Sequence, residues 1–546
     1  MLGETFSQIL DPLSNVVAST LLALVPVVVL LVLLTVFRLG AWQAVSISAV
    51  VTVVLASTVW RAPLTEALTA YGLGAATGFW SIDWIVFWGV VIYNTLVVTG
   101  AFRTFQRWLV AQSTADIRVQ TLLIAWAFGA LLEGLVGFGY PWAVVAPLLI
   151  GFGIADLASI RVAALANNAP VSFGALGAPL IGLAAVTGLP LAALSASVGK
   201  IVAILALAPP WLLIYLVSGK RGLKDGWPLA IVGSLGYIAG QFPTSQYLGP
   251  YLPDIIGSLV CFAALLLLLR VWRPRVALGF GGKELTAEEI AAQQASGTTD
   301  DRSDTTRWTP MQSLVPFLIL IGVVVAWTGP WSVLTKYVPF KPEVSAISSL
   351  SHKTTSVSWE FAPFVAGTAI LVCWLLTAAY LRPDAGQLRQ VFRNTFRQMW
   401  GALLVGPLIF GLAQVFNYSG MANSMAEGFA KVGVAFVVLS ALLGWIAVAL
   451  SGSNTTANAL FGQFQYSVAL LLHAPVLLFP SLNSLGAEVG KPVAPQTASV
   501  GVSTTRFVRN EGEVIRYNMG WTLVLLVYLI AIGVFFYFVI PGAVTL

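Results

Sequence analysis

The chain has 546 residues, of which 58% are hydrophobic and only 9% charged, with a mean hydropathy of +0.88 and a formal net charge of +6. A soluble domain carries about 25% charged residues, so no water-soluble fold could cover this much apolar surface, and the bilayer must be the solvent for most of the chain. Strand alternation is absent and the apolar runs have the length of spanning helices, which excludes a β-barrel.

In chain order, apolar windows predict spans near 17–37, 41–60 and 81–101, then a long apolar region at 119–155. Spans near 162–187, 191–218, 227–243 and 252–270 follow. A polar loop at 271–310, rich in Thr, Ser and Ala, reads as a mobile linker with a short helix at 284–294. Beyond it come spans near 312–328, 360–381 and 398–416, a second long region at 433–480, and spans near 484–505 and 518–541. No cleavable signal peptide is expected, because the start lacks a basic segment and the first apolar run is long enough to span. The two cysteines, Cys261 and Cys373, lie inside apolar runs and read as inert thiols.

Reading both long regions as re-entrant hairpins, with the first terminus outside, places 21 of the 28 Lys and Arg residues on the inner side. That bias is how membrane topology is encoded, and it takes the basic charge away from any reading as a nucleic-acid binder. The fold class expected is an all-α polytopic membrane protein of twelve transmembrane helices plus two re-entrant hairpins. A first repeat over 12–218 and a second, inverted repeat over 312–541 are joined by two linking helices and a cytoplasmic loop over 219–311. Inverted repeats are a recurring plan of secondary transporters, which bind substrate at the midplane between them.

Four clusters of helix breakers interrupt apolar runs: Gly137–Pro141, Asn167–Pro179, Ser451–Asn458 and Gly490–Thr497. They take matching places in the two repeats, a hairpin tip followed by a span broken at Ala-Pro (Ala169-Pro170 and Ala494-Pro495). One such break alone reads as a simple kink; four in matched positions read as a site. Broken helices leave free N–H groups and positive dipole ends that suit an anion. Asn167, Asn168, Ser453, Asn454, Thr455 and Gln496 are the candidate hydrogen-bonding groups for a carboxylate. Ionisable residues inside membranes are costly and usually functional. Glu133, four residues before the first tip, is the candidate proton carrier, while Lys200 and Lys491 could attract an anion. Lys491 could equally pair with Glu488, and Asp254 reads as an interfacial helix cap.

The blocks GALLEGLVGFGYP, NNAPVSFGALGAP, GPYLPDIIGSL, NYSG, GSNTTANALF and GKPVAPQ stand in the order found in the L-lactate permease family, which the chain resembles from about Asp11 to the last span. The resemblance implies uptake of L-lactate, with glycolate or D-lactate as further candidate substrates, by proton symport across a bacterial inner membrane. Glu133, Asn167, Asn168, Lys200, Ser453, Asn454, Asn458, Lys491 and Gln496 fall in its shared blocks. It departs at Asn454, where the family motif reads Gly-Ser-Asp-Thr, and at Tyr140 and Trp142, which replace small residues after the first tip. The Ser453-Asn454-Thr455 triplet also resembles the hairpin tip of divalent anion–sodium symporters, which suits an elevator-like mechanism and adds a sodium-coupled carboxylate symporter as the alternative. No metal-ligand cluster, nucleophile–base pair or phosphate loop is present in the sequence, so neither an enzyme nor a cofactor is expected. The partners expected are a lactate-class monocarboxylate, protons and membrane lipids.

Overall fold

A computed structural model describes residues 5–137, 139–291, 307–503, 505–507 and 510–546. Helices α1 (Val16–Thr35), α2 (Ala41–Thr58) and α3 (Leu64–Val98) open the chain. α3 carries a π-helical turn at Gly78–Asp83. An amphipathic α4 (Ala101–Gln112) leads into α5 (Ile117–Leu135) and α6 (Tyr140–Gly151), which double back at Gly137 and Gly139. Both glycines have positive φ, 66° and 76°, a conformation that a side chain resists.

The next element breaks in two, α7 (Asp156–Ala166) and α8 (Val171–Thr187), with a 65° bend between them. Within α8, Ala175, Leu176 and Gly177 are left-handed, at φ 46°, 58° and 79°. Two consecutive non-glycine residues in that region are strained, as happens where the surroundings over-determine a functional geometry.

α9 (Leu191–Leu205) and the first part of α10 (Ala208–Tyr247) run against the rest of α10, because the chain reverses at Gly219 (φ 67°, ψ −168°). The antiparallel pairing shows in Ser195 Oγ donating to the Ser245 carbonyl (2.9 Å) and Ser234 Oγ to that of Leu207 (3.0 Å). α11 (Pro253–Val271) completes the first half.

The second half has α12 (Pro310–Thr328), α13 (Ala366–Leu381), the long α14 (Ala385–Tyr418) and an amphipathic α15 (Met421–Ala430). α16 (Phe436–Ser451) and α17 (Asn454–Leu471) double back at Gly452 (φ 75°), and Gln465 Nε2 reaches across to the Ser440 carbonyl at 3.3 Å. α18 (Leu478–Gly490) and α19 (Pro495–Val502) flank the second broken segment, and α20 (Glu511–Phe538) ends the fold.

Among the described residues ten helices are long and apolar enough to cross a membrane, or eleven when the bent α7–α8 pair counts as one. The number differs from the expected twelve partly because Leu191–Tyr247 counts here as one stretch, and partly because α13 has only 16 residues. The predicted spans at 81–101 and 398–416 are the inner portions of the longer α3 and α14. The all-α expectation needs a correction too. Strands β1 (Phe6–Ser7), β2 (Glu343–Ile347) and β3 (Thr354–Ser358) form a small sheet, antiparallel between β2 and β3 and parallel between β1 and β2. Its strands are short and mostly polar, so no apolar run announced them. Of the helix expected at 284–294, residues 287–291 are helical, residues 284–286 are not, with Glu284 bridged to Leu278, and residues 292–294 lie outside the described residues.

Lipid tails are as apolar as the helices, so packing in a bilayer comes from close backbone approach. α16 and α18 cross in this way: a Cβ on Gly444 would sit 2.0 Å from the Asn483 carbonyl, and one on Gly486 equally close to that of Ala441. At the start of α5, Asp116 and Arg118 form a buried ion pair at 2.6 Å. Arg118 also donates to the carbonyls of Gly222 and Val276, and this pins the start of the linker.

Candidate functional site

The four breaks converge. At the first tip, a Cβ on Gly137 would meet Ala175 of α8 at 3.1 Å, and one on Gly139 would meet Thr497 of α19 at 2.8 Å. At the second tip, a Cβ on Gly452 would meet Gln496 at 2.8 Å, while Thr497 Oγ1 donates to the Gly452 carbonyl. Asn458 Nδ2, one turn into α17, donates to the Pro179 carbonyl of α8 at 3.0 Å. Each tip therefore rests on a broken segment, and any side chain at these glycines would force them apart.

A cavity of about 530 Å³ lies where they meet. Its wall includes Glu133, Gly137 and Tyr140 from the first hairpin, Ser453 to Thr456 from the second, and Lys491, Gln496 and Thr497 from the last broken segment. The opposite wall comes from α2, α3 and α14, including Trp42, Asp83, Gln398, Gly406 and Phe410.

Helix α17 starts at this wall. Ser453 caps it, its hydroxyl accepting from the Thr456 N–H at 3.2 Å. The N–H groups of the residues just before Thr456 precede the first intrahelical bonds, so the positive end of α17 faces the cavity. Asn454 does not hang free: its amide donates to the Ser484 carbonyl at 3.1 Å. An aspartate there could not make that bond, which gives the asparagine at this position a physical reason.

One ion pair dominates the cavity's electrostatics. Lys491 Nζ donates to Glu133 Oε1 at 2.6 Å, with the two side chains 5% and 2% exposed. Asn167 Nδ2 donates to the other carboxylate oxygen at 2.9 Å. Gly174 lies against the same carboxyl, where a Cβ would come within 2.6 Å of Oε1. The expected alternative, Lys491 with Glu488, does not occur. The 3-10 turn at Lys491–Val493 swings the lysine away, and Glu488 Oε2 accepts instead from the Ser172 N–H at 2.8 Å.

Of the residues named from sequence, Glu133, Ser453, Asn454, Thr455, Lys491 and Gln496 are brought to the cavity. Asn167 stands just behind it through Glu133. Asn168 is buried, and neither its amide nitrogen nor its oxygen has a partner, but it does not line the cavity. Lys200 is not brought there: its ammonium donates to the Ala543 carbonyl at 2.7 Å, near the end of the chain. Asp254 stands in the first turn of α11 but makes no capping bond there. It is buried, accepts from Tyr237 Oη at 2.8 Å and packs on Gly134 of the first hairpin. Tyr140 lines the cavity, whereas Trp142 fills the space left by the absent side chain of Gly501.

Sequence reasoning missed Ser172, Ser484 and Asp83, and it named Glu488 only as a partner for Lys491. Ser172 Oγ and Ser484 Oγ, 3.1 Å apart, tie the two broken segments together. Their signal was weak, because serines in apolar helices most often bond their own backbone. Asp83 gave no signal because the apolar run begins near residue 81, which puts the acid at the expected end of a span. Among the described residues no group of three or more His, Cys, Asp or Glu could hold a metal ion.

A family model described as L-lactate permease matches residues 19–541. The glycolate permease GlcA of Escherichia coli (strain K12) is 33% identical over 541 residues, covering 95% of this chain and 96% of that one. The L-lactate permease of Bacillus subtilis (strain 168) is 32% identical over 537 residues, covering 94% of each. Among solved structures, the YdaH transporter of Alcanivorax borkumensis aligns over 86% of this chain and 88% of that one, with a TM-score of 0.44 and 14% identity.

Proposed function

The chain belongs to the L-lactate permease family, and on that premise we propose that it takes up lactate, and glycolate as a smaller congener, by proton symport. It is a multi-pass protein of the bacterial inner membrane, and the family's members are named as permeases, not enzymes. The observation that carries the coupling is the Glu133–Lys491 pair in the cavity wall.

A substrate carboxylate entering the cavity competes with Glu133 for the one lysine there. If it takes Lys491, Glu133 is left as an uncompensated buried charge, which is strongly disfavoured. A proton on Glu133 removes that cost. The empty site is then neutral as Lys491⁺ with Glu133⁻, and the loaded site is neutral as Lys491⁺ with lactate⁻ and protonated Glu133. One proton travels with each anion, and neither state drags net charge through hydrocarbon. The free N–H groups at the start of α17, with Ser453, Thr455 and Gln496, would take the remaining carboxylate and hydroxyl oxygens.

Twelve spans suit this reading: α9 and α10 count as two through the reversal at Gly219, the two broken segments count as one each, and the hairpins α5–α6 and α16–α17 re-enter without crossing. The two hairpins and two broken segments then form the unit that carries substrate, moving elevator-like against α2, α3 and α14. The cavity reaches Gly40 to Trp42 and Gln398 to Trp400, beside the basic loops, which supports reading this conformation as open inward.

The test is labelled-lactate uptake into proteoliposomes with an imposed pH gradient. Glu133→Gln keeps the side-chain volume and mimics the protonated acid. It should lose gradient-driven accumulation while retaining lactate exchange. Full accumulation by a well-folded Glu133→Gln protein would show that the proton travels elsewhere.

A further inference from the structure

The cavity wall holds a third charged residue, to which the sequence and the coupling scheme assign nothing. Asp83 is 6% exposed, lines the cavity on the α3 side, and its Oδ2 has no hydrogen-bond partner. It closes the π-helical turn Gly78–Asp83, and single π turns inside long helices recur at functional sites because they re-aim one residue. The opposing helix is shaped to admit it. A Cβ on Gly406 would lie 2.4 Å from Asp83 Oδ1 and 2.5 Å from Oδ2, so only glycine leaves room for the carboxyl.

Its position relative to the second tip follows from α14. Phe410 lies one turn beyond Gly406 on the same face. A Cβ on Gly182 would touch both Phe410 and Thr455, so Asp83 sits about one turn, roughly 6 Å, along α14 from the tip's own contact.

Among the described residues no compensating charge faces it. Of the elements packed on this turn, α14 presents Gly406 and Pro407, α13 presents Gly367 and carries only Cys373 and Tyr380 as titratable groups, and α8 carries none. On α3 itself the flanking titratable groups are Tyr71, packed over Gly411, and Tyr93, packed against Tyr140. The cavity's other titratable groups are Glu133, Lys491 and Tyr140, and the first two are already paired.

An ionised Asp83 would therefore stand bare in a site that must accept an anion. In the loaded state drawn above, Lys491 and lactate cancel, so an ionised Asp83 would leave the cavity with one uncompensated negative charge. We infer that Asp83 is a second proton-binding group of this site, one that must hold a proton for a carboxylate to bind and so gates substrate entry by pH. This rests on the cavity being the carboxylate site. It differs from coupling, because Asp83 belongs to the wall of α3 and keeps its proton while the anion passes.

The test separates the two roles by using exchange, which needs no gradient. Labelled lactate is exchanged against unlabelled lactate in proteoliposomes at equal internal and external pH, from acid to alkaline. Once Asp83 ionises, wild type must take up a proton at Asp83 as well as the one at Glu133, so apparent affinity falls about a hundredfold for each further pH unit, against about tenfold in Asp83→Asn, where Glu133 alone contributes. Asp83→Asn should carry exchange further into the alkaline range, and Asp83→Glu should restore the alkaline decline. An Asp83→Asn profile that falls with wild type, or loss of exchange at every pH in an Asp83→Asn protein that elutes normally, would overturn the inference.

Should Asp83→Asn fail to fold, Glu133→Gln serves instead. Calorimetry of lactate binding in two buffers of different ionisation enthalpy should still register proton uptake at alkaline pH, and no uptake would overturn it. Gradient-driven accumulation by Glu133→Gln, by contrast, would reject only the coupling role of Glu133.

Discussion

Lys491→Met removes the ammonium and leaves Glu133 buried with one remaining donor, the Asn167 amide at 2.9 Å. Breaking a buried pair by deleting one partner costs about 3–5 kcal/mol. The surviving amide bond, and the freedom of Glu133 to bind a proton, put this case at the lower end, about 3 kcal/mol, which is roughly a 100-fold change in an equilibrium constant. Unfolding followed in mixed micelles should therefore be about 100-fold more favourable for Lys491→Met than for wild type. Glu133→Gln/Lys491→Met removes both charges and keeps the Asn167 contact, so most of the loss should return, as when buried pairs are replaced by neutral groups. Lactate binding, read by calorimetry, should stay lost in both variants, because the group that holds the carboxylate is gone. The reasoning is refuted if the double variant is destabilised by the sum of the two single variants. It is equally refuted if Lys491→Met binds lactate like wild type.

Gly486→Leu drives a side chain into the Ala441 carbonyl, which a Cβ would already meet at 2.0 Å, so α16 and α18 must separate. Overpacking a close crossing costs typically 1–3 kcal/mol, occasionally more, and the variant should lose thermal stability in detergent together with lactate exchange. Arg118→Ala leaves the buried Asp116 carboxylate with only two backbone donors, the N–H groups of residue 118 and Leu278, and frees the carbonyls of Gly222 and Val276. It should make the segment near residue 276 markedly more sensitive to proteolysis, and an unchanged cleavage pattern would count against the anchoring role. Gly452→Ala combines a positive φ of 75° with a Cβ only 2.8 Å from that of Gln496. It should reduce exchange more than it reduces protein stability, since the strain falls on the tip beside the cavity.

Much of the architecture was legible because its causes are local. Bilayer thickness sets run length, and Pro and Gly break helices wherever they stand, so the spans, both tips and both Ala-Pro breaks could be read from sequence. Glu133 and Lys491 were legible as a charged minority in apolar surroundings. Their pairing was not: the two residues are 358 apart in sequence, and the nearer Glu488 was an equally good partner until the 3-10 turn at Lys491 aimed the ammonium elsewhere. Lys200 shows the reverse case, a lysine in an apolar span whose charge is spent on the Ala543 carbonyl once the chain end folds beneath it. Asp254 and Asp83 stand near the ends of the apolar windows, so the first read as an interfacial cap and the second drew no notice, yet both are buried because helices extend past those windows. Hydropathy and helix breaking, which act over a few residues, determined from sequence alone that this chain spans a membrane and where its helices fail. Which charged groups meet was decided only by the tertiary structure, because a Coulomb interaction in a low-dielectric interior depends on separation in space, and separation along the chain does not report it.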